Sequence, residues 1–210
     1  MPTDPNMTAL ALFDFDGTLC KQDSFTGFMQ SALPKHSFYR KCLKISPQIA
    51  AYYLKLYPAN RMRPLLFKTV FKDENAHKVH LIGQNYAKYL VEHCLNPEVL
   101  ARLKWHQQQQ HDVVIVSASL NLYLQPVAKL LNVELICTQV DADHHVLTGA
   151  YRSADCSCKE KVCRLKQHYD LNTFTKIYAY GNSHEDIHML KVATHAYWIN
   201  QKHQLQPFLG

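Results

Sequence analysis

Three short apolar runs in this chain each stop abruptly at a polar cluster. Leu10-Ala11-Leu12-Phe13 gives way to Asp14-Phe15-Asp16-Gly17-Thr18, and Val113-Val114-Ile115-Val116 to Ser117-Ala118-Ser119. Lys176-Ile177-Tyr178-Ala179-Tyr180 ends in the same manner at Gly181-Asn182-Ser183. Runs of this length read as buried strands that carry polar residues at their C-terminal ends. Helical spacing lies between them: Val99, Leu103 and His106 before the second strand, Leu120 to Leu131 after it, and Val162, Leu165 and Tyr169 before the third. Pro126 is expected to kink the middle helix or delay its start. The alternation predicts an α/β fold, a Rossmann-like doubly wound parallel sheet covered on both faces. In such sheets ligands bind outside the carboxyl ends of the strands, where the polar residues of this chain collect.

From about Lys21 to Leu90 the alternation breaks and the pattern is helical throughout, with Val79, Ile82, Tyr86 and Leu90 on one face of the last helix. The expected organisation is a catalytic core formed by residues 1–20 and 91–210, with residues 21–90 inserted as a helical cap. Ile45, Ile49, Tyr52 and Leu56 fall on one helical stripe flanked by Arg40, Lys41, Lys44 and Lys55. That pattern fits packing against neighbouring cap helices and also a helix lying on an anionic membrane surface. Asp141-Ala142-Asp143-His144-His145, followed by Gly149, reads as a turn between short strands.

Composition narrows the picture only modestly. At 210 residues the chain has room for one sizeable core and a smaller insertion, and 47% hydrophobic with 19% charged residues is an ordinary globular balance. A net charge of +6 favours anionic partners without separating a phosphate ester from nucleic acid or a membrane surface. Met1 to Asn6 contain no basic region leading into an apolar run, so the expected location is cytoplasmic. No apolar run is long enough to span a membrane, which leaves peripheral contact through the cap as the form any membrane association would take. Seven cysteines, an odd number, point to reduced thiols. Cys156, Cys158, Cys163 and His168 match none of the usual zinc spacings and read as ordinary residues.

The chemistry sits at the strand ends. Asp14 and Asp16, two apart before Gly17-Thr18, would let one carboxylate attack phosphorus while the other handles the leaving-group proton. Gly17 would let backbone N–H groups approach phosphate oxygens; acids in this position also serve as plain turn and capping residues. Ser117 could donate its hydroxyl to a phosphoryl oxygen beside the Ala118 amide, or cap a helix, a role open to Ser119 as well. Ser157-Cys158-Lys159-Glu160 has the form of a capping box, which would put Lys161 in a first helical turn leaning back toward the strand ends. Asn182 and Asp186 supply oxygen ligands of the kind that suit Mg²⁺, and Ser183 with Asp186 would also make a capping pair.

With all four elements in order, the residues resemble the haloacid dehalogenase superfamily. The motifs matched are Asp14-Phe15-Asp16-Gly17-Thr18, Ser117, Lys161, and Gly181-Asn182-Ser183-His184-Glu185-Asp186. More narrowly, Phe13 to Leu19, Val116 to Ser119, Glu160-Lys161-Val162 and Tyr178 to Ser183 are similar to subfamily IB, which holds phosphoserine phosphatase and relatives acting on phosphatidylglycerophosphate. The resemblance implies Asp14 as nucleophile, Asp16 as acid and base, and Ser117 and Lys161 as phosphate holders. It implies substrate contacts at Gly17, Thr18, Asp23 and Ala118, and Mg²⁺ held among Asp14, Asp16, Asn182 and Asp186. Asp16 favours phosphoryl transfer, because dehalogenases of the superfamily lack an acid there.

The implied activity is a Mg²⁺-dependent phosphatase acting through an aspartyl-phosphate on a small phosphorylated metabolite or a lipid phosphate, with no nucleic acid expected. A phosphotransferase or phosphomutase of the same superfamily is the enzymatic alternative, and a basic binding protein on the same fold the other. Two positions depart from the pattern. Asn182 stands where relatives have an acid, which implies weaker Mg²⁺ binding, and Cys158 stands where they tend to have glycine. Arg61 and Arg63 are open to a substrate carboxylate or second phosphate, or to an ordinary surface role.

Overall fold

The computed structural model describes residues 9–209, so the N-terminal reading at Met1 to Asn6 lies outside the described residues. Strand β1 (Ala9–Phe13) is buried along its whole length. It is followed in the chain by β2 (Asp112–Leu120), β3 (Glu134–Thr138), β4 (Val140–Asp143), β5 (Val146–Tyr151), β6 (Lys176–Gly181), β7 (His195–Ile199) and β8 (Leu205–Pro207). Six of these form one sheet in the order β3-β2-β1-β6-β7-β8, parallel except for the edge strand β8. The chain adds β2 and β3 on one side of β1 and then returns to add β6 on the other. The switch point, and with it the crevice, therefore lies at the C-terminal ends of β1 and β6.

The helices are α1 (Ser24–Ser31), α2 (Lys35–Leu43), α3 (Ser46–Tyr53), α4 (Ala59–Phe71), α5 (Ala76–His93), α6 (Pro97–Gln108), α7 (Asn121–Leu131), α8 (Lys159–His168) and α9 (Ile187–Lys191). Side chains alternate along each central strand, so each strand feeds two cores. Ala11, Phe13, Ile115 and Tyr180 pack with the residues of α1 and α5 to α7, while Leu10, Leu12, Val116 and Ala179 pack with Leu165 of α8 and Met189 of α9. Asp14 follows in the register of Leu10 and Leu12, on the face that α8 covers. Burial on both faces explains why these runs are uniformly apolar.

Close packing brings α5 against α7 through two special residues. Pro126 sits inside α7, which nevertheless starts at Asn121, ahead of it, so the expected delayed start is not found. Lacking an N–H, the proline leaves the Leu122 carbonyl without its helical donor. Gly83 of α5 faces that carbonyl: a Cβ at Gly83 would lie 2.2 Å from the Leu122 oxygen.

Behind β6, buried His106 of α6 shares a hydrogen bond with the Tyr180 hydroxyl (2.8 Å), and Tyr180 stacks on Phe13 at 4.4 Å. Burial, then His111 and Arg102, push the His106 pKa down to about 3, so it is neutral at ordinary pH. This stack braces the ends of β1 and β6 from the side opposite the face that carries Asp14.

The segment read as helical is so from α1 through α5, and the expected turn at Asp141 to His145 is the β4–β5 hairpin, with His144 at φ +53°. The single stripe from Ile45 to Leu56 is not found. Ser46-Pro47 start a new helix, leaving Ile45 buried at the break, while Leu56 lies beyond α3 and is exposed. Among the described residues no helix is long and apolar enough to cross a membrane.

Candidate active site

At the end of β1 the Asp14 amide bonds the Tyr180 carbonyl (2.9 Å), which fixes the backbone that presents its carboxylate. Lys161 donates to Asp14 Oδ1 and to Asp186 Oδ1, both at 2.6 Å, from a side chain almost entirely shielded from solvent. Each carboxylate raises the Lys161 pKa against the opposing effect of burial, so the amine stays protonated. Burial and the charge of Asp186 push Asp14 up to about 7 although Lys161 acts the other way.

Asp186 is also buried, but Lys161 and two backbone amides outweigh burial and hold its pKa below the usual carboxylate range. Its second oxygen accepts from the amides of Asn182 (3.1 Å) and Ser183 (2.9 Å) and from the Ser183 hydroxyl (2.9 Å). This is the expected capping box, built on a short 3-10 turn, His184–Asp186. Gly181 makes room for it, since a Cβ there would lie 2.6 Å from Asp186 Cβ. Both Asp186 oxygens are thus engaged in holding Lys161 and the loop that carries Asn182.

Asp16 is held differently. Its Oδ1 accepts from the Ser24 amide (2.6 Å) and its Oδ2 from the Ser119 hydroxyl. Burial raises its pKa, helped by Asp23 and opposed by Ser119 and Ser24. A carboxyl pushed upward and aimed by two donors is suited to trading a proton. Ser119 and Ser24 were not among the residues singled out for chemistry in the sequence. Ser119 does not take the helix-cap role that was open to it and to Ser117, because β2 continues to Leu120 through an irregular register after Ser117 and α7 begins with no side-chain cap. The signal available was its position two residues beyond Ser117 at a strand end.

Ser117 is buried, accepts from the Ser119 amide (3.1 Å) and, with Ala118, lines the cavity above Asp14 and Asp16. Gly17 sits at φ +78°, and a Cβ there would lie 2.0 Å from Asn182 Nδ2, so both backbone and space require glycine. Thr18 is fully buried, and its hydroxyl donates to Asn182 Oδ1 (3.1 Å). Asp23 lines the cavity and caps α1 by accepting from the Thr26 amide (3.0 Å).

Arg63 is committed elsewhere: it makes a two-pronged bond to Asp155 (2.8 Å each) and reaches Glu185 (3.0 Å). It ties α4 to the loop before α8 and to the turn after β6, while Arg61 is exposed. Arg63 is thus already paired, and Arg61 is not part of the cavity lining. Of the cysteines weighed for zinc, Cys156 is buried, Cys158 intermediate and Cys163 exposed.

The model of the haloacid dehalogenase-like hydrolase family matches residues 11–191. The chain belongs to that family. The protein CicA of Caulobacter vibrioides is 29% identical over 189 residues, covering 88% of this chain and 82% of the relative. A histidinol-phosphatase of Neisseria meningitidis serogroup C is 24% identical, covering 95% and 94%. The fold is also that of a substrate-bound phosphoserine phosphatase (TM-score 0.67, 15% identity, 91% and 85% covered). A Bordetella pertussis Tohama I protein of unknown function shares it (TM-score 0.75, 18% identity, 90% and 89% covered).

The haloacid dehalogenase motif around Lys161 carries a strained residue. The expected capping box at Ser157 to Glu160 is absent. Cys158 is the N-cap, at φ +51° and ψ −123° with no capping bond from its side chain, and Glu160 turns to Arg164 (2.9 Å). Glycine suits that backbone, whereas a side chain there costs about 1–3 kcal/mol. Cys158→Gly should therefore stabilise the protein by about 1 kcal/mol, seen as a Tm rise of about 2–4 °C. An unchanged or lower Tm would show that the cysteine side chain contributes more than its conformation costs.

Proposed function

We propose that this protein is a Mg²⁺-dependent phosphomonoesterase that works through an aspartyl-phosphate on Asp14, with the helical segment 21–90 as a cap over the site. The observation that carries the reading is the Lys161 ammonium bridging Asp14 and Asp186 directly behind the cavity floor, with Asp16 beside them under separate control. One carboxylate is paired with the ammonium as it meets a phosphoryl group, and the other has its pKa shifted upward by burial and is aimed by Ser24 and Ser119 for proton transfer.

Residues fit the ion that such chemistry needs. Two buried carboxylates, Asp14 and Asp186, share the one Lys161 ammonium, and the charge of Asp16 also acts on Asp14, so the site holds more negative than positive groups. Among the described residues no three His, Cys, Asp or Glu side chains form a self-contained metal cluster. An Asp14 carboxylate, the Asp16 main-chain carbonyl and the Asn182 amide oxygen make a sparser, all-oxygen set, the kind Mg²⁺ accepts while keeping waters. Asp186 supports that set by fixing Asn182 and Lys161. When bound, Mg²⁺ supplies charge to draw the phosphate and Asp14 together.

In the first step an Asp14 oxygen bonds to phosphorus as the bond to the leaving oxygen breaks, and Asp16 gives that oxygen its proton. Water then attacks the phosphorus, Asp16 takes the water's proton, and Asp14 and inorganic phosphate are released. Ser117 and the Ala118 amide hold phosphoryl oxygens, and Lys161 stabilises their charge. A phospho-aspartyl intermediate analogue has been solved for phosphoserine phosphatase, whose fold this chain shares. Substrates are phosphorylated small molecules or lipid phosphates.

The test is phosphate release from p-nitrophenyl phosphate, titrated with Mg²⁺ after chelator treatment. Asn182→Asp adds a charge at the ion; even after most of the Coulomb gain is lost to solvation, half-saturation should fall about tenfold. No release at any Mg²⁺ concentration would dismiss the enzyme reading, and an unmoved half-saturation in the variant would remove residue 182 from the ion site.

A further inference from the structure

Resting on the phosphatase reading, we infer that the substrate's leaving group is apolar, an alkyl or aryl chain, and not a zwitterionic amino acid. The cavity above Asp14 and Asp16 has a volume of about 560 Å³, ample for more than a phosphate. Its floor is polar, and Thr26, Gln30 and His184 also line it, but most of its wall is Phe25, Phe38, Ile49, Tyr52, Met62 and Leu66, drawn from α1 to α4. Phe25, Phe38, Met62 and Leu66 are buried in the protein's own core, so these walls are fixed by packing before anything binds. Tyr39 and Tyr53 stand at the same cavity with most of their surface in solvent, which extends the apolar lining to the rim.

Charge points the same way. A phosphoamino acid brings a carboxylate that needs a cation or several donors once it leaves water. Arg63 is the one lysine or arginine among the described residues of the lining, and Asp155 and Glu185 already claim it. Asp23 could meet an ammonium, yet a wall of aromatic and aliphatic groups would face the rest of that substrate. A chain of methylenes or an aromatic ring loses nothing there and gains burial.

Chain-length dependence tests this without requiring turnover. Calorimetric titration of the Mg²⁺-loaded protein with n-alkylphosphonates, methyl through octyl, should show affinity rising about two- to fourfold per methylene until the cavity fills. Methyl to hexyl should span at least about 30-fold on the same basis. Hydrolysis of the matching alkyl phosphates should follow the same order, 1-naphthyl phosphate reads the aromatic arm, and phosphoserine should be the poorest.

Tyr52→Ser, at a half-exposed wall position, and Met62→Ser should each flatten the slope. A flat phosphonate series, or phosphoserine as the best ligand, overturns the inference whether or not esters are cleaved. Rising phosphonate affinity with no ester cleaved leaves the pocket assignment standing and sinks the phosphatase reading alone.

Discussion

Asp14→Asn should abolish phosphate release, by at least about 10⁴-fold, and at the same time make the metal-free protein more stable. The amide keeps the shape of the carboxylate and an oxygen for Lys161, but it has no charge with which to form the acyl-phosphate bond. The stability gain follows from the raised pKa of Asp14, pushed up to about 7 by burial and by Asp186. A carboxyl that binds its proton more tightly when folded contributes stability that is complete below its unfolded pKa of 3.8 and is lost as pH rises through about 7. The ionised wild type therefore carries an electrostatic cost at pH 8 that the asparagine variant lacks. Urea midpoints in chelator at pH 5 and pH 8 should show the variant's advantage widening with pH, reaching roughly 1–2 kcal/mol. A variant that is less stable than wild type at both pH values would mean that Asp14 is satisfied by Lys161 and is no strained nucleophile.

Such strain is invisible in a sequence, whereas the frame around it is not. The runs at Leu10, Val113 and Ile177 announce their strands because both faces are buried, and each ends at residues that the fold brings to one crevice. Strands β3 and β7 gave no comparable signal. Glu134, Leu135 and His195 to Trp198 are only partly buried or exposed, so the apolar pattern is diluted near the sheet's edges.

Contacts that depend on distant pairs were also out of reach. Ser119 meets Asp16 across 103 positions, and Arg63 meets Asp155 and Glu185 across 92 and 122. No spacing rule relates such residues. The break in the cap stripe was closer to legible, because Ser46-Pro47 is a helix start written in local chemistry. The missing glycine at Cys158 likewise marked the one turn in that motif where backbone and side chain disagree.

Lys161→Met should be the most damaging single change to the fold's interior as well as to its chemistry. The methionine fills nearly the same volume, so packing is preserved and the loss is electrostatic. Asp14 and Asp186 would remain buried with no ammonium between them, and removing one partner of a buried charge set costs about 3–5 kcal/mol. Activity should fall by at least about 10³-fold, since the phosphoryl oxygens lose their charge-assisted donor. A double variant separates the two effects.

Adding Asp14→Asn to Lys161→Met removes one of the stranded charges, so it should recover roughly 2–3 kcal/mol of urea stability at pH 8, more than the same substitution adds to the wild type, while restoring no phosphate release. Asp186 still has the amides of Asn182 and Ser183, so recovery should stop short of the wild type. If the two substitutions were additive in stability, Lys161 and Asp14 would not be coupled, and the ammonium behind the floor would be a structural cation with no part in steadying the nucleophile.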